Sequence, residues 1–147
     1  GTFTGYSALK MAEALPDDGK LFTCELAEYL ADTAQGFFDS VDFGSKITVL
    51  RGHSLDNIES IQSESIDLSF IDADKVNYPG YYEVVITKTR PGGIVVLDNM
   101  LWSGSVINPN DQSSVALRKT ADIIHNDSRV HNILVPIRDG LMVCTKK

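Results

Sequence analysis

"RPGGIVVLDN", residues 90–99, decides the fold. Ile94 to Leu97 are apolar without a break, and a Pro-Gly-Gly turn signal stands immediately before them. A strand with one wet face alternates polar and apolar side chains, whereas a strand covered on both faces reads as a continuous apolar run. "IVVL" therefore predicts a central strand with helices on either side. It ends abruptly in Asp98-Asn99.

The same pattern extends outward. "KLFTCEL" (20–26), "ITVL" (47–50) and "IDLSFI" (66–71) read as further strands. Between them, apolar residues recur at helical spacing. Ala8, Met11, Ala12 and Leu15 mark a first helix. Ala27, Leu30, Ala34, Phe37 and Phe38 mark a second over 27–41, and a short helix covers 55–61. Tyr78, Tyr81, Tyr82 and Val85 line a helix beyond Pro79, and Leu117, Ala121 and Ile124 face inward on another over 111–126. "PDDG", "FGSK" and "RPGG" are turns. "VHNILVPI" and "LMVCTK" flank "RDG" as a closing hairpin. Strands alternating with helices predict an α/β fold with a mostly parallel sheet and a C-terminal antiparallel hairpin. With no linker, repeat or low-complexity segment, residues 1–147 are expected to form a single domain.

A chain of 147 residues can bury a real core, and 43% hydrophobic with 22% charged residues is ordinary for a globular domain. The net charge of −7 argues against a nucleic-acid backbone as partner. No apolar run approaches the roughly 20 residues that cross a bilayer. Cys24 and Cys144 sit inside apolar runs and form no CxxC pair, which predicts free thiols and a cytoplasmic setting.

In open α/β sheets, ligands bind beyond the carboxyl ends of the strands. The residues found there are Glu25, Gly52-His53-Ser54, Asp72-Ala73-Asp74-Lys75 and Asp98-Asn99. In "GTFTGYS", Gly1 and Gly5 would let backbone approach a ligand at a helix N-terminus, although an ordinary turn explains the segment equally well. Glu25 reads either as an acceptor for ribose hydroxyls or as a solvated acid opening a helix. Asp72, Asp98 and Asn99 supply three hard oxygens, the donor set of Mg²⁺, Mn²⁺ or Ca²⁺ rather than of zinc or copper. Helix capping by Asp72 and a turn at Asp98-Asn99 are the plainer reading, but neither calls for carboxylates at both strand ends. Lys75 reads as a base beside that cation or as a surface lysine. Trp102 reads as the wall of an aromatic pocket or as a loop anchor. His53 stands at a strand end, while His125 and His131 show no ligand spacing.

Taken together, these segments resemble the cation-dependent class I O-methyltransferases, the caffeoyl-CoA and catechol O-methyltransferase group. "GTFTGYSAL" is similar to that family's S-adenosylmethionine motif. "FIDADKVNYPGYY" and "GGIVVLDNMLWSGSV" are similar to its metal-site segments, and "VPIRDGLMV" to its C-terminal hairpin. The resemblance covers essentially the whole chain. It implies a Rossmann-like seven-stranded sheet whose last strand is antiparallel. It also implies that S-adenosyl-L-methionine is held by Gly1, Thr2, Phe3, Gly5, Ser7, Glu25, Ser54 and Asp72, with His53 beside the adenine. Asp72, Asp98 and Asn99 would bind Mg²⁺ or a similar cation. Lys75, with Asp72, would carry the catalysis, and Asp74 and Trp102 would meet the substrate.

The implied acceptor is a hydroxyl of a small aromatic diol. A hydroxylated tRNA uridine and a non-catalytic nucleoside-binding protein are the alternatives. Relatives commonly form homodimers. Two departures stand out: Glu25 where Asp is frequent, and histidine at position 53. The family also has N-terminal helices and a first strand ahead of the Gly motif, so the expectation is a piece of a longer protein.

Overall fold

The computed structural model describes residues 1–147, which form two compact units, Gly1–Ser60 and Ile61–Lys147. The first contains α1 (Tyr6–Ala14), β1 (Leu21–Glu25), α2 (Glu28–Phe38), a 3-10 turn (Asp42–Lys46), β2 (Ile47–Arg51) and α3 (Ser54–Glu59). β1 and β2 run parallel, from Leu21 opposite Ile47 to Glu25 opposite Arg51. Ala8, Ala12, Ala34, Phe38 and Ile47 form the core, with Leu9, Leu21, Phe43 and Val49 packed against it.

One glycine is essential to that packing. Gly5 has a φ of +85°, and a Cβ there would lie 2.6 Å from Cε1 of Phe38. The helix stripe of α2 differs from the expectation at one place. Ala31, Ala34 and Phe38 are buried, whereas Phe37 is exposed. At 3.6 residues per turn, Phe37 falls about 100° round from Phe38 and off the stripe that the small alanines define.

The second unit contains β3 (Ile66–Ile71), a 3-10 turn (Lys75–Asn77), α4 (Tyr78–Lys88), β4 (Thr89–Leu97), a 3-10 turn (Trp102–Gly104), α5 (Gln112–Asn126), β5 (Val130–Val135) and β6 (Leu141–Lys146). Its sheet has the order β3-β4-β6-β5. β3 and β4 are parallel, and β6 runs antiparallel to both β4 and β5. The six strands thus form a two-stranded and a four-stranded sheet, an α/β arrangement with parallel pairs and a C-terminal antiparallel hairpin as expected.

"IVVL" is central as expected, between β3 and β6, but only one face is fully covered: Val95 and Leu97 are fully buried, whereas Ile94 and Val96 are partly exposed. "RPGG" is not a turn outside the strand. It forms an irregular excursion within β4, where the pairing jumps from Ile66–Thr89 to Leu68–Ile94. Pro91 has no N–H to give a ladder and Gly92 takes a φ of +77°, so the segment cannot keep regular pairing and bulges out of the strand.

The face of α4 is as predicted, with Tyr78, Tyr81, Tyr82, Val85 and Ile86 buried. α5 starts at a capping box in which the Asp111 carboxylate accepts the Ser113 and Ser114 N–H groups. Leu117 and Ile124 point inward. Thr120 takes the place expected of Ala121, its hydroxyl satisfied by the Ala116 carbonyl at 2.8 Å. Tyr82 donates to Asp127 at 2.8 Å, and Arg129 grips the same carboxylate at 2.7 Å. Both cysteines are free thiols; Cys144 is fully buried and Cys24 half-buried. Burial pushes the Cys144 thiol up to about 12. No helix is long and apolar enough to cross a membrane.

Candidate active site

In the second unit, one piece of ladder geometry assembles most of the predicted residues. Ile71 faces Leu97 across β3 and β4, and the Asp98 N–H bonds the Ile71 carbonyl at 3.0 Å. Asp72 and Asp98 are therefore the next residues on two adjacent parallel strands. Asn99 follows in a left-handed conformation, φ +60°. Asp98 Oδ1 accepts the Asn99 N–H at 2.6 Å. No three His, Cys, Asp or Glu side chains of the chain are grouped so as to hold a metal ion by themselves. A cation here would rest on two carboxylates and one amide, all oxygen donors, and that donor chemistry fits Mg²⁺ or Mn²⁺.

Lys75 is not a surface lysine. Its side chain is only 9% exposed, against 50% for Asp72. Nζ donates to Asp72 Oδ1 at 2.9 Å, to the Ala73 carbonyl at 3.0 Å and to the Tyr78 hydroxyl at 2.8 Å. An ammonium has three protons, and all three are used. Nζ also lies 4.7 Å from the Tyr78 ring centre and 5.9 Å from that of Trp102, which brings the only tryptophan to this cluster. Asp74 is committed differently: it accepts from the Tyr81 hydroxyl and from Asn77 Nδ2 at the start of α4.

Two residues of this site escaped the sequence reading. Tyr78 was expected only as a core residue of α4. Its hydroxyl accepts from Lys75 and donates toward the carbonyls of Asp98, at 3.0 Å, and Ile71, at 3.2 Å. It thereby ties the lysine to both strand ends. Burial, then the charges of Asp72 and Asp98, drive its phenol well above its ordinary range, so it stays a donor. The available signal was a tyrosine where a phenylalanine would have filled the core. Asp139 was read as part of a turn. Its Oδ1 accepts the Ser103 N–H at 2.6 Å, and Oδ2 lies 3.5 Å from Asn99 Nδ2.

In the first unit, Glu25 organises the Gly-rich opening. Its Oε2 accepts the N–H groups of Thr2, at 3.0 Å, and Phe3, at 2.8 Å, while Oε1 accepts that of Ala27 at 3.0 Å. Burial opposes its charge, yet the bonds from Ala27, Phe3 and Thr2 outweigh burial and hold its carboxyl below the usual glutamate range. A carboxylate has about four acceptor positions. Three are taken by backbone, which leaves about one for a ribose hydroxyl, fewer than the pair expected from sequence. Thr2 is buried and bonds Thr23 Oγ1 at 2.7 Å and the Cys24 carbonyl at 3.0 Å. Gly1 and Ser7 are exposed at this opening. His53 is the exposed residue ahead of α3, and the Ser54 hydroxyl lies against the Cys24 thiol. The Gly52 N–H bonds the Glu25 carbonyl at 2.9 Å, so the ends of β1 and β2 are joined.

Parallel strands that deliver hard oxygens at their carboxyl ends, and an acid that holds a glycine loop ahead of a helix, define an α/β protein whose candidate site lies at its strand ends. The chain belongs to the O-methyltransferase family, whose model matches residues 1–147. Among curated relatives, caffeoyl-CoA O-methyltransferase of Stellaria longipes is 30% identical, over 99% of this chain and 66% of that protein. Catechol O-methyltransferase domain-containing protein 1 of Mus musculus is 32% identical, over 99% of this chain and 58% of that protein. The chain thus spans between 58% and 66% of the length of the curated relatives named here. Among solved structures, the O-methyltransferase of Bacillus cereus in complex with SAH superposes with a TM-score of 0.89 at 30% identity, over 99% of this chain and 71% of that one. TomG of Streptomyces achromogenes, in complex with SAM, gives 0.88 at 27% identity, over 99% and 70%.

Proposed function

We propose that residues 1–147 act as a methyltransferase domain that uses S-adenosyl-L-methionine and a divalent cation to methylate a hydroxyl of a catechol-like small molecule. The observation that carries this reading is the set of Asp72, Asp98 and Asn99 at two adjacent strand ends, with Lys75 and Trp102 beside it. The names of the relatives, caffeoyl-CoA and catechol O-methyltransferases, and the SAM and SAH in the related structures support it.

Bound S-adenosylmethionine supplies an electrophilic methyl group. Thr2, Phe3, Glu25 and the turn before α1 would hold it, with Ser54 and His53 at the neighbouring strand end. A divalent cation on the Asp72, Asp98 and Asn99 oxygens supplies a positive charge that favours ionised phenol over phenol, whose ordinary pKa is about 10. Trp102 offers an aromatic face to the substrate ring. Lys75 accepts the phenolic proton at Nζ. As an ammonium it carries three protons, bonded to Asp72, the Ala73 carbonyl and Tyr78, so the base role requires that one of these protons first leave to solvent and free the Nζ lone pair that takes up the phenolic proton. Tyr78 holds the amine in place while that happens.

The test is methyl transfer from S-adenosylmethionine to catechols and caffeoyl-type esters, with and without chelator, in the parent and in Lys75→Met. The expected result is metal-dependent transfer whose kcat falls about 100-fold or more in Lys75→Met with donor affinity kept. Donor binding without transfer to any diol would point to a binding protein instead.

A further inference from the structure

We propose that Asp139 is a positioning residue that turns the Asn99 amide so that Oδ1, not the NH₂ group, is offered to a cation. The inference rests on the reading of Asp72, Asp98 and Asn99 as cation ligands.

Asn99 is the one ligand of the three whose use depends on which way it faces. A carboxylate presents oxygen on both sides. An amide presents oxygen on one side and two N–H donors on the other, and a cation repels the donors. An ionised carboxylate only accepts. With Asp139 Oδ2 at 3.5 Å from the amide nitrogen, the flipped amide would set oxygen against oxygen. That distance is at the outer limit of a hydrogen bond, so polarity rather than bond strength makes the choice.

Asp139 is itself held fast. Its Oδ1 accepts the Ser103 N–H at 2.6 Å, its carbonyl accepts the Leu101 N–H at 2.9 Å, and the Gly140 carbonyl accepts the Met100 N–H at 3.0 Å. Gly140 has φ +83°, and a Cβ there would lie 2.6 Å from Leu101 Cγ, so the hairpin turn packs directly on the loop. The braced loop holds three non-glycine residues in left-handed conformations: Asn99 at +60°, Trp102 at +46° and Ser103 at +52°. Such a backbone persists only where its surroundings fix it.

The experiment is a Mn²⁺ titration followed by electron paramagnetic resonance of the free ion, which needs no turnover. Four proteins are compared: parent, Asp139→Asn, Asn99→Asp and the double variant. Aspartate at position 99 presents oxygen on both sides and needs no orienting partner. Asp139→Asn alone should weaken Mn²⁺ binding about ten- to a hundred-fold. In the Asn99→Asp background the same change should cost less than about threefold. Equal losses in both backgrounds would show that Asp139 acts through charge or by holding the loop, and would overturn the proposal. So would unchanged affinity in Asp139→Asn alone. Asp98→Ala separates the two layers. If the parent binds Mn²⁺, Asp98→Ala does not and Asp139→Asn does, the ligand reading stands and only the inference fails. If the parent binds none, both fall. Should Asp139→Asn melt below assay temperature, Asp139→Ser repeats the comparison, since it leaves the backbone bonds of residues 139 and 140 in place.

Discussion

Asp98 stands beside Asp72 because the Ile71–Leu97 pairing of β3 and β4 ends one step before both of them, and the Asp98 N–H closes the ladder on the Ile71 carbonyl at 3.0 Å. Two carboxylates so placed repel each other unless a positive charge is shared between them. Lys75 already supplies one to Asp72. Asp98→Ala should therefore leave the fold in place, with a melting temperature within a few degrees of the parent. Methyl transfer should fall about 100-fold or more, to the level seen with chelator. Turnover that survives both treatments would remove the cation from the mechanism.

Glu25 gives a second prediction, because its carboxylate is the anchor of the opening loop. Glu25→Gln sets an NH₂ group against the N–H groups of Thr2, Phe3 or Ala27. A cost of about 2 kcal/mol in stability is expected from the unmet donors. Affinity for S-adenosylmethionine, measured by calorimetry, should fall about tenfold or more. The folded-state pKa of Glu25 is depressed. Its contribution is thus complete above the ordinary glutamate value of about 4.3 and is lost as pH falls through the lowered one.

At Gly5, backbone and packing both exclude a side chain. Gly5→Ala combines a φ of +85° with a Cβ only 2.6 Å from the Phe38 ring. Thermal or urea unfolding should show a loss of about 2 kcal/mol or more. A neutral result would mean that Phe38 can shift at little cost.

The Asp127–Arg129 pair sets an acid-stability prediction. Arg129 holds the Asp127 carboxyl down to about 2, with burial opposing and the Tyr82 hydroxyl assisting. A depressed carboxylate stabilises the fold above the unfolded value of about 3.9, and that stabilisation disappears as pH falls toward 2. Arg129 is 42% exposed, so solvent screening reduces the gain. Asp127→Asn should cost about 1–2 kcal/mol at pH 7 and close to nothing near pH 2. A pH-independent difference between the two proteins would show that the loss is one of packing or hydrogen bonding, not charge.

Much of the fold was legible because strands and helices announce themselves through local period. β3 occupies the six residues of "IDLSFI", and the four tyrosine and valine positions of α4 are buried as read. The strand-end rule then pointed to Asp72, Lys75, Asp98 and Asn99 before any geometry was known. Phe37 was misplaced because apolar character alone does not fix where a helical stripe runs; the alanines do, by letting the helix approach its sheet. "RPGG" was misread because a turn signal also describes an excursion within a strand.

Residue types and their order were sufficient to determine an α/β chain with acids and an amide at two strand ends. Those follow from sterics and burial within a few residues. Whether the Lys75 side chain is buried, what Glu25 spends its oxygens on, and which side chain the Asn99 amide nitrogen faces were decided only by tertiary structure. Each depends on partners far along the chain: Glu25 on Thr2 and Phe3, at separations of 23 and 22 residues, and Asn99 on Asp139, at 40. Hydrogen-bond capacity is local, but where it is spent is set by what folding brings within about 3.5 Å.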